Sequence, residues 1–173
     1  MESEIWIPMN NEEFSDLYRE HLPSLSRYLV RRVPVSQVED LASDIIEIAW
    51  KKRDQAPSGQ ELAWLYKIAS YVVSNYRAKT NNRNRIQSLL LPPQNAPSAE
   101  SIALSDKDLA LAWSKLKNSD QQLIALSSFE QLSIEEIAVT LSISKNAVSI
   151  RLHRAKQILE KHLRALEGTD DER

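Results

Sequence analysis

The sequence predicts an all-α protein made of two small helical domains joined by a flexible linker. Three observations carry that prediction. Through most of the 173 residues, apolar side chains recur at steps of three and four, which gathers them on one face of a helix. Only two glycines occur, Gly59 and Gly168, among many strong helix formers. One stretch, residues 81–105, loses the helical period and holds Pro92, Pro93 and Pro97 among Asn, Gln and Ser, the composition of a linker. The expected division is a first domain over 11–80, a linker over 81–105 and a second domain over 106–164.

The first helix is supported by Phe14, Leu17, Tyr18, Leu22, Leu25, Tyr28 and Leu29. Pro23 should bend or break it, because proline removes a backbone donor and crowds the preceding turn. Pro34 ends it. A second helix runs over about 36–53, with Val38, Leu41, Ala42, Ile45, Ile48 and Ala49 turned inward. Residues 54–59 form a loop punctuated by Pro57 and Gly59. The third helix, about 60–80, has Leu62, Leu65, Ile68, Ala69, Val72 and Val73 as its apolar stripe. Leu89, Leu90 and Leu91 interrupt the linker and are candidates to pack on a neighbouring domain or partner. Beyond it, 106–117 carries Leu109, Ala112, Trp113 and Leu116. Residues 119–130 carry Leu123, Ile124, Leu126 and Phe129, with Ser119 expected as the N-cap.

The last two helices lie in LSIEEIAVTLSISKNAVSIRLHRAKQIL, residues 132–159. Ser133 and Glu136 form a capping-box pattern ahead of Ile134, Ile137, Ala138 and Leu141. The helix should stop near Ser142. Ile143 is then an interhelical core residue and Ser144 a second N-cap. Val148, Leu152, Ala155 and Leu159 share the inward face of the final helix. Its other side shows Ser144, Lys145, Asn146, Ser149 and His153, flanked by Arg151, Arg154 and Lys156. Two short helices, a tight turn and a small polar helix start are the layout of a helix-turn-helix. Asn pairs with adenine, Lys with guanine and Ser with either, whereas arginines suit phosphates. The plain alternative is an amphipathic hairpin with a solvated basic face. The two cap signals and the basic bias of the second helix favour DNA.

Composition narrows the field further. At 42% hydrophobic residues a packed core is attainable, and the absence of cysteine excludes disulfides, Cys-ligated zinc and thiol switches. No run is apolar enough to span a membrane, and the N-terminus lacks a signal-peptide pattern, so a cytoplasmic protein without membrane insertion is expected. The net charge of −2 argues against nucleic acid only until its distribution is read. Acid gathers at the two ends. Base gathers at Arg77, Lys79, Arg83 and Arg85, and again over 145–164, which suggests two phosphate-contacting patches.

Two features of the first domain stand out. Asp40, Asp44 and Glu47 share one face of the second helix by i, i+4 and i+7 spacing. That stripe could dock a basic partner or simply be solvated; no histidine is placed to make it a catalytic or metal site. The third helix interleaves Trp64, Tyr66, Tyr71 and Tyr76 with Lys67, Asn75, Arg77 and Lys79. Aromatics stack on unpaired bases while Lys and Arg follow the backbone. The alternative is that Trp64 and one or more of the tyrosines fill the core; for Trp64 that is the better reading, whereas over 75–85 charge and amides favour the functional one.

The order acidic helix, aromatic-basic helix, proline-containing linker and C-terminal helix-turn-helix resembles the extracytoplasmic-function sigma factors of bacterial RNA polymerase. The resemblance covers about 14–163. It rests on VEDLASDIIEIAW (38–50), AWLYKIA (63–69), NYR (75–77) and the helix-turn-helix. It implies a sigma domain two over 11–80 and a sigma domain four over 106–164. Asp40, Ser43, Asp44 and Glu47 would bind a coiled coil of the polymerase β′ subunit. Trp64, Lys67, Tyr71, Asn75, Arg77, Lys79 and Arg83, with the loop at 54–60, would melt the promoter and capture its minus-ten strand. Ser144, Lys145, Asn146, Ser149, Ile150, Arg151 and Arg154 would read the minus-thirty-five duplex. The implied partners are core RNA polymerase (β′ and β subunits), promoter DNA and an anti-sigma factor. No cofactor and no catalytic residue is implied, since polymerase holds the catalytic magnesium.

The sequence departs from the family pattern in places. Ser70 and Tyr71 stand where Arg and Asn are usual, and Asn75 where Asp is common. Ser142 replaces the turn glycine, Ser149 a lysine and Ile150 a serine. Ile150 could meet a thymine methyl or be core. These departures imply a promoter preference of its own. Two other functions fit the bare pattern: a stand-alone helix-turn-helix regulator, which would bind a symmetric duplex site without polymerase, and a helical interaction module that binds no DNA.

Overall fold

Asn10 starts the first helix. Its side chain accepts from the backbone N–H groups of Glu12 and Glu13, each at 2.9 Å, and the Glu13 carboxylate accepts from the Asn10 N–H at 2.9 Å. This reciprocal cap satisfies donors that a helix start otherwise leaves open. The computed structural model describes residues 9–88 and 107–170, and among them there are seven α-helices and no strand. The protein is all-α. The expectations for the linker prolines and for Leu89, Leu90 and Leu91 lie outside the described residues.

The chain divides into two compact units, Met1–Lys79 and Thr80–Arg173. The first is built on α1 (Asn11–Val30), α2 (Val38–Lys51) and α3 (Glu61–Ser88), with short 3-10 turns at Val35–Gln37 and Arg53–Gln55. Of the bend or break expected at Pro23, the break does not occur: α1 runs on through the proline. The proline ring is exposed, and so is Arg19, whose carbonyl loses its intrahelical donor; that carbonyl can turn to water without a break in the helix. α3 also continues well past the expected end at about residue 80, so the first residues assigned to a linker are helical.

Leu25, Tyr28 and Leu29 of α1, Leu41, Ile45 and Ala49 of α2, and Leu65, Tyr66, Ala69, Val72 and Val73 of α3 form the core of the first unit. The Tyr28 and Tyr66 rings lie 5.0 Å apart, and Phe14 meets Trp50 edge-on at 5.1 Å. Arg32 covers Tyr28, its guanidinium 3.6 Å from the ring centroid, and donates to the Tyr28 carbonyl at 3.0 Å. A cation stacked on an aromatic face can be buried at modest cost.

The second unit contains α4 (Lys107–Ser114), α5 (Asn118–Ser128), α6 (Ile134–Leu141) and α7 (Lys145–Asp170). Its core is Ala112, Trp113, Leu116, Leu123, Ile124, Leu126, Leu132, Ile137, Val148, Leu152 and Ala155. Gln121 is buried among them and donates to the Trp113 carbonyl at 2.8 Å. α5 starts one residue earlier than expected. Ser119 therefore sits inside its first turn, and Lys117 occupies the cap position without a side-chain cap bond. Among the described residues no helix is long and apolar enough to cross a membrane.

Candidate nucleic-acid interface

The helix-turn-helix is set by three local devices. Ser133 Oγ accepts from the Glu136 N–H at 3.2 Å, and Glu136 accepts from the Ser133 N–H at 2.8 Å. Ser142 then reverses the chain at φ 55, ψ 44, while the Ile143 N–H reaches back to the Ala138 carbonyl at 3.1 Å. This is a left-handed C-cap of the kind glycine usually fills. Ser144 Oγ accepts from the Ala147 N–H at 3.1 Å and so caps α7. Ile143, expected in the core, is only half-buried at the edge of a groove.

With Val148 and Ala155 wholly buried and Leu152 nearly so, the rotation of α7 is fixed. Ser144, Lys145, Asn146, Ser149, Arg151, His153 and Arg154 are all exposed. Ile150 is 48% exposed, so of its two readings the outward one holds. Lys145 pairs with Glu135 of α6 at 3.2 Å. Arg151 and Arg154 line a groove of about 480 Å³ with Lys117, Ser119 and Asp120 of the α5 start and Leu141, Ile143 and Ile158. Sequence reasoning missed both Lys117 and Glu135. Each sits on a different element from the α7 residues it lies beside, and only packing brings them together.

In the first unit Asp40, Ser43, Asp44 and Glu47 all lie on the exposed face of α2. Ser43 donates to the Glu39 carbonyl one turn back at 2.9 Å. Glu47 pairs with Lys51, whose hydrogen bond and charge hold the Glu47 carboxyl below the ordinary carboxylate range. Ser43 and Glu47 border a shallow groove floored by Phe14, Tyr18, Ile46 and Trp50. On the other side Asp40, Asp44 and Glu47 share a second groove with Tyr71, Asn75, Tyr76 and Lys79 of α3. The acidic stripe and the aromatic-basic stripe are thus the two walls of one cleft.

Along α3, Lys67, Tyr71, Asn75 and Lys79 are exposed at successive steps of four, and Arg83 is exposed beyond them. Tyr71 is 62% exposed, as a stacking platform requires. Two expected strand-capturing residues are engaged in the packing of the unit instead of standing open. Trp64 is 6% exposed and belongs to the core; an indole with both faces packed has none to offer a base. Arg77 is half-buried, and its guanidinium donates to the Arg32 carbonyl at 3.1 Å. It clamps the chain after α1 to α3. Among the described residues no group of three or more His, Cys, Asp or Glu is placed to hold a metal ion.

The second unit thus carries a helix-turn-helix, and the first a cleft with one acidic and one aromatic-basic wall. Comparison with known proteins gives the family. The sigma-70 region 2 family matches residues 17–83 and the sigma-70 region 4 family matches residues 107–159. The RNA polymerase sigma factor YlaC of Bacillus subtilis is 27% identical, over 89% of this chain and 94% of that protein. The ECF RNA polymerase sigma factor SigE of Mycolicibacterium smegmatis is 27% identical, over 87% of this chain and 61% of that protein. Among solved structures, the sigma factor RpoE of Bartonella quintana, in complex with the anti-sigma factor NepR, superposes with a TM-score of 0.64. It is 22% identical, over 88% of this chain and 98% of RpoE. The chain belongs to the sigma-70 family of RNA polymerase sigma factors, in its extracytoplasmic-function group. Members of that family are in general non-catalytic initiation factors.

Proposed function

We propose that this sigma factor directs core RNA polymerase to its promoters by three surfaces, two of which meet in one cleft. The exposed start of α7 reads the minus-thirty-five duplex: Lys145, Asn146, Ser149 and Ile150 meet base edges, while Ser144, Arg151 and Arg154, joined by Lys117, meet phosphates. Lys67, Tyr71, Asn75, Lys79 and Arg83 of α3 hold the unpaired minus-ten strand. Asp40, Ser43, Asp44 and Glu47, with the apolar groove beside Ser43, dock a helical surface of the polymerase β′ subunit. Residues 11–80 and 106–164 act as the two functional domains, joined by residues 81–105. The chain itself catalyses no step and works in the cytoplasm. An anti-sigma factor is the expected regulator.

One observation carries this reading: a capped, left-handed turn presents a helix whose outward face over its first two turns is exposed, mostly polar and flanked by arginines. A helix N-terminus with that profile fits the major groove, where each base pair shows a distinct pattern of donors and acceptors. The test is reconstitution with core polymerase followed by run-off transcription on genomic fragments. A stable complex and promoter-specific transcripts are expected. No complex and no new transcript would overturn the proposal, and tight binding of the free protein to a symmetric duplex would replace it with a stand-alone regulator.

A further inference from the structure

The first residue of the reading helix is a lysine, and a helix N-terminus is a poor place for one. The unsatisfied N–H groups there carry the equivalent of about half a positive charge, which favours anions and disfavours cations. The fold supplies the missing anion from the other helix of the motif. Glu135, in the first turn of α6, places Oε1 3.2 Å from Lys145 Nζ, and both side chains are well exposed, at 49% and 65%. The Glu135 carboxyl is held below the ordinary carboxylate range, first by its own backbone N–H and then by the Lys145 hydrogen bond and charge. It is therefore an anion near neutral pH.

This placement is costly for general DNA affinity. A carboxylate on the groove side of a DNA-binding motif approaches a polyanion, and it occupies a cation that would otherwise be drawn to phosphate. What it provides is direction. A lysine ammonium is a point charge on a flexible stem with three rotatable donors, and left alone it samples phosphate and base edge alike. Tethered through one donor to Glu135, it has two donors left and a restricted sweep.

We infer that Glu135 is a positioning residue that sets promoter specificity: it withholds Lys145 from the phosphates and aims it at one base pair of the minus-thirty-five element. The acceptors that fit are guanine O6 and N7 in the major groove. This inference rests on the proposed role of α7 in reading duplex DNA. Loss of the carboxylate raises affinity for all duplexes and lowers discrimination at a single position. Those two changes run in opposite directions, which a general loss of structure does not produce.

The test uses holoenzyme reconstituted with the full chain and a promoter library randomised in the minus-thirty-five element, with bound sequences counted. In the wild type, one position should show a guanine preference that Lys145→Ala abolishes. Glu135→Gln should weaken the preference at that same position about fivefold, the low end of what a good base contact discriminates. The other positions should stay unchanged. In the same variant, binding to non-promoter duplex should strengthen, and log affinity against log salt should steepen by about 0.9, as neutralising one more phosphate requires. Glu135→Asp, which keeps the charge, should restore most of the preference. In the Lys145→Ala background, Glu135→Gln should leave the preferences unaltered. An unchanged guanine preference in Glu135→Gln overturns the role of Glu135 while leaving the sigma-factor reading intact. A wild-type holoenzyme that selects no sequence at all overturns both.

Discussion

Ser142 is held at φ 55, ψ 44, in the left-handed region, at the turn between α6 and α7. For a residue with a Cβ that region costs about 1–2 kcal/mol, and glycine escapes the penalty. The Ser142 side chain is exposed, so removing it loses no core packing. Its backbone bonds to Ala138 and Val139 do not depend on a side chain. Glycine also loosens the unfolded chain, which returns about 0.4–1 kcal/mol. Ser142→Gly should therefore stabilise the second unit by roughly 0.5–1 kcal/mol, a rise of about 4 °C in the midpoint of a small helical domain. Amide exchange at the buried positions Ile137 and Val148, combined with a thermal melt, isolates this unit from the first. Ser142→Val, which adds a β-branch at the same φ, should move both readouts the other way. Gln131 shares a φ of 55, and Gln131→Gly should show a gain of the same sign. Equal or lower stability of Ser142→Gly would refute the argument, because it would mean that the strain of the left-handed turn does not exceed the entropy glycine returns to the unfolded chain.

Other substitutions separate the three proposed surfaces. Asp44→Arg should abolish binding to core polymerase, measured by co-elution, while changing the melting midpoint little, since the position is exposed. Arg151→Ala and Arg154→Ala should weaken holoenzyme binding on every promoter alike and flatten the salt dependence by about 0.9 each, as loss of phosphate contacts requires. Trp64→Ala and Tyr71→Ala should part company. The first removes a core residue and should destabilise by about 3–5 kcal/mol. The second should leave stability within about 0.5 kcal/mol and lower strand capture, read by permanganate reactivity of the melted region.

The sequence showed most where the controlling interaction is local. Ser133 with Glu136, and Ser144 with the third residue beyond it, are patterns of one helical turn, and all their bonds form as expected. The step of four through Lys67, Tyr71, Asn75 and Lys79 likewise follows from helix geometry alone. Expectations failed where a local rule met its surroundings. Proline does not break α1, where both Pro23 and Arg19, the residue four back, are exposed. Ser119 does not cap α5, because that helix begins one residue sooner.

The aromatic-basic helix shows the limit most plainly. Trp64 and Tyr71 lie two turns apart on one side of α3, and by spacing they are equivalent candidates for stacking. Packing leaves one 6% exposed and the other 62% exposed. Arg77 looks like one more cation of a basic run, yet its guanidinium bonds a carbonyl 45 positions away. By itself the sequence determined the order of the helices, the Ser133 and Ser144 caps, the helix stop near Ser142 and the family, since each depends on residues within a few positions or on the order of whole motifs. The tertiary structure alone decided which aromatic is a core residue, which arginine is a clamp and which carboxylate holds Lys145. Those outcomes depend on which distant segments come to lie against each helix face, and that is set by the packing of the whole unit.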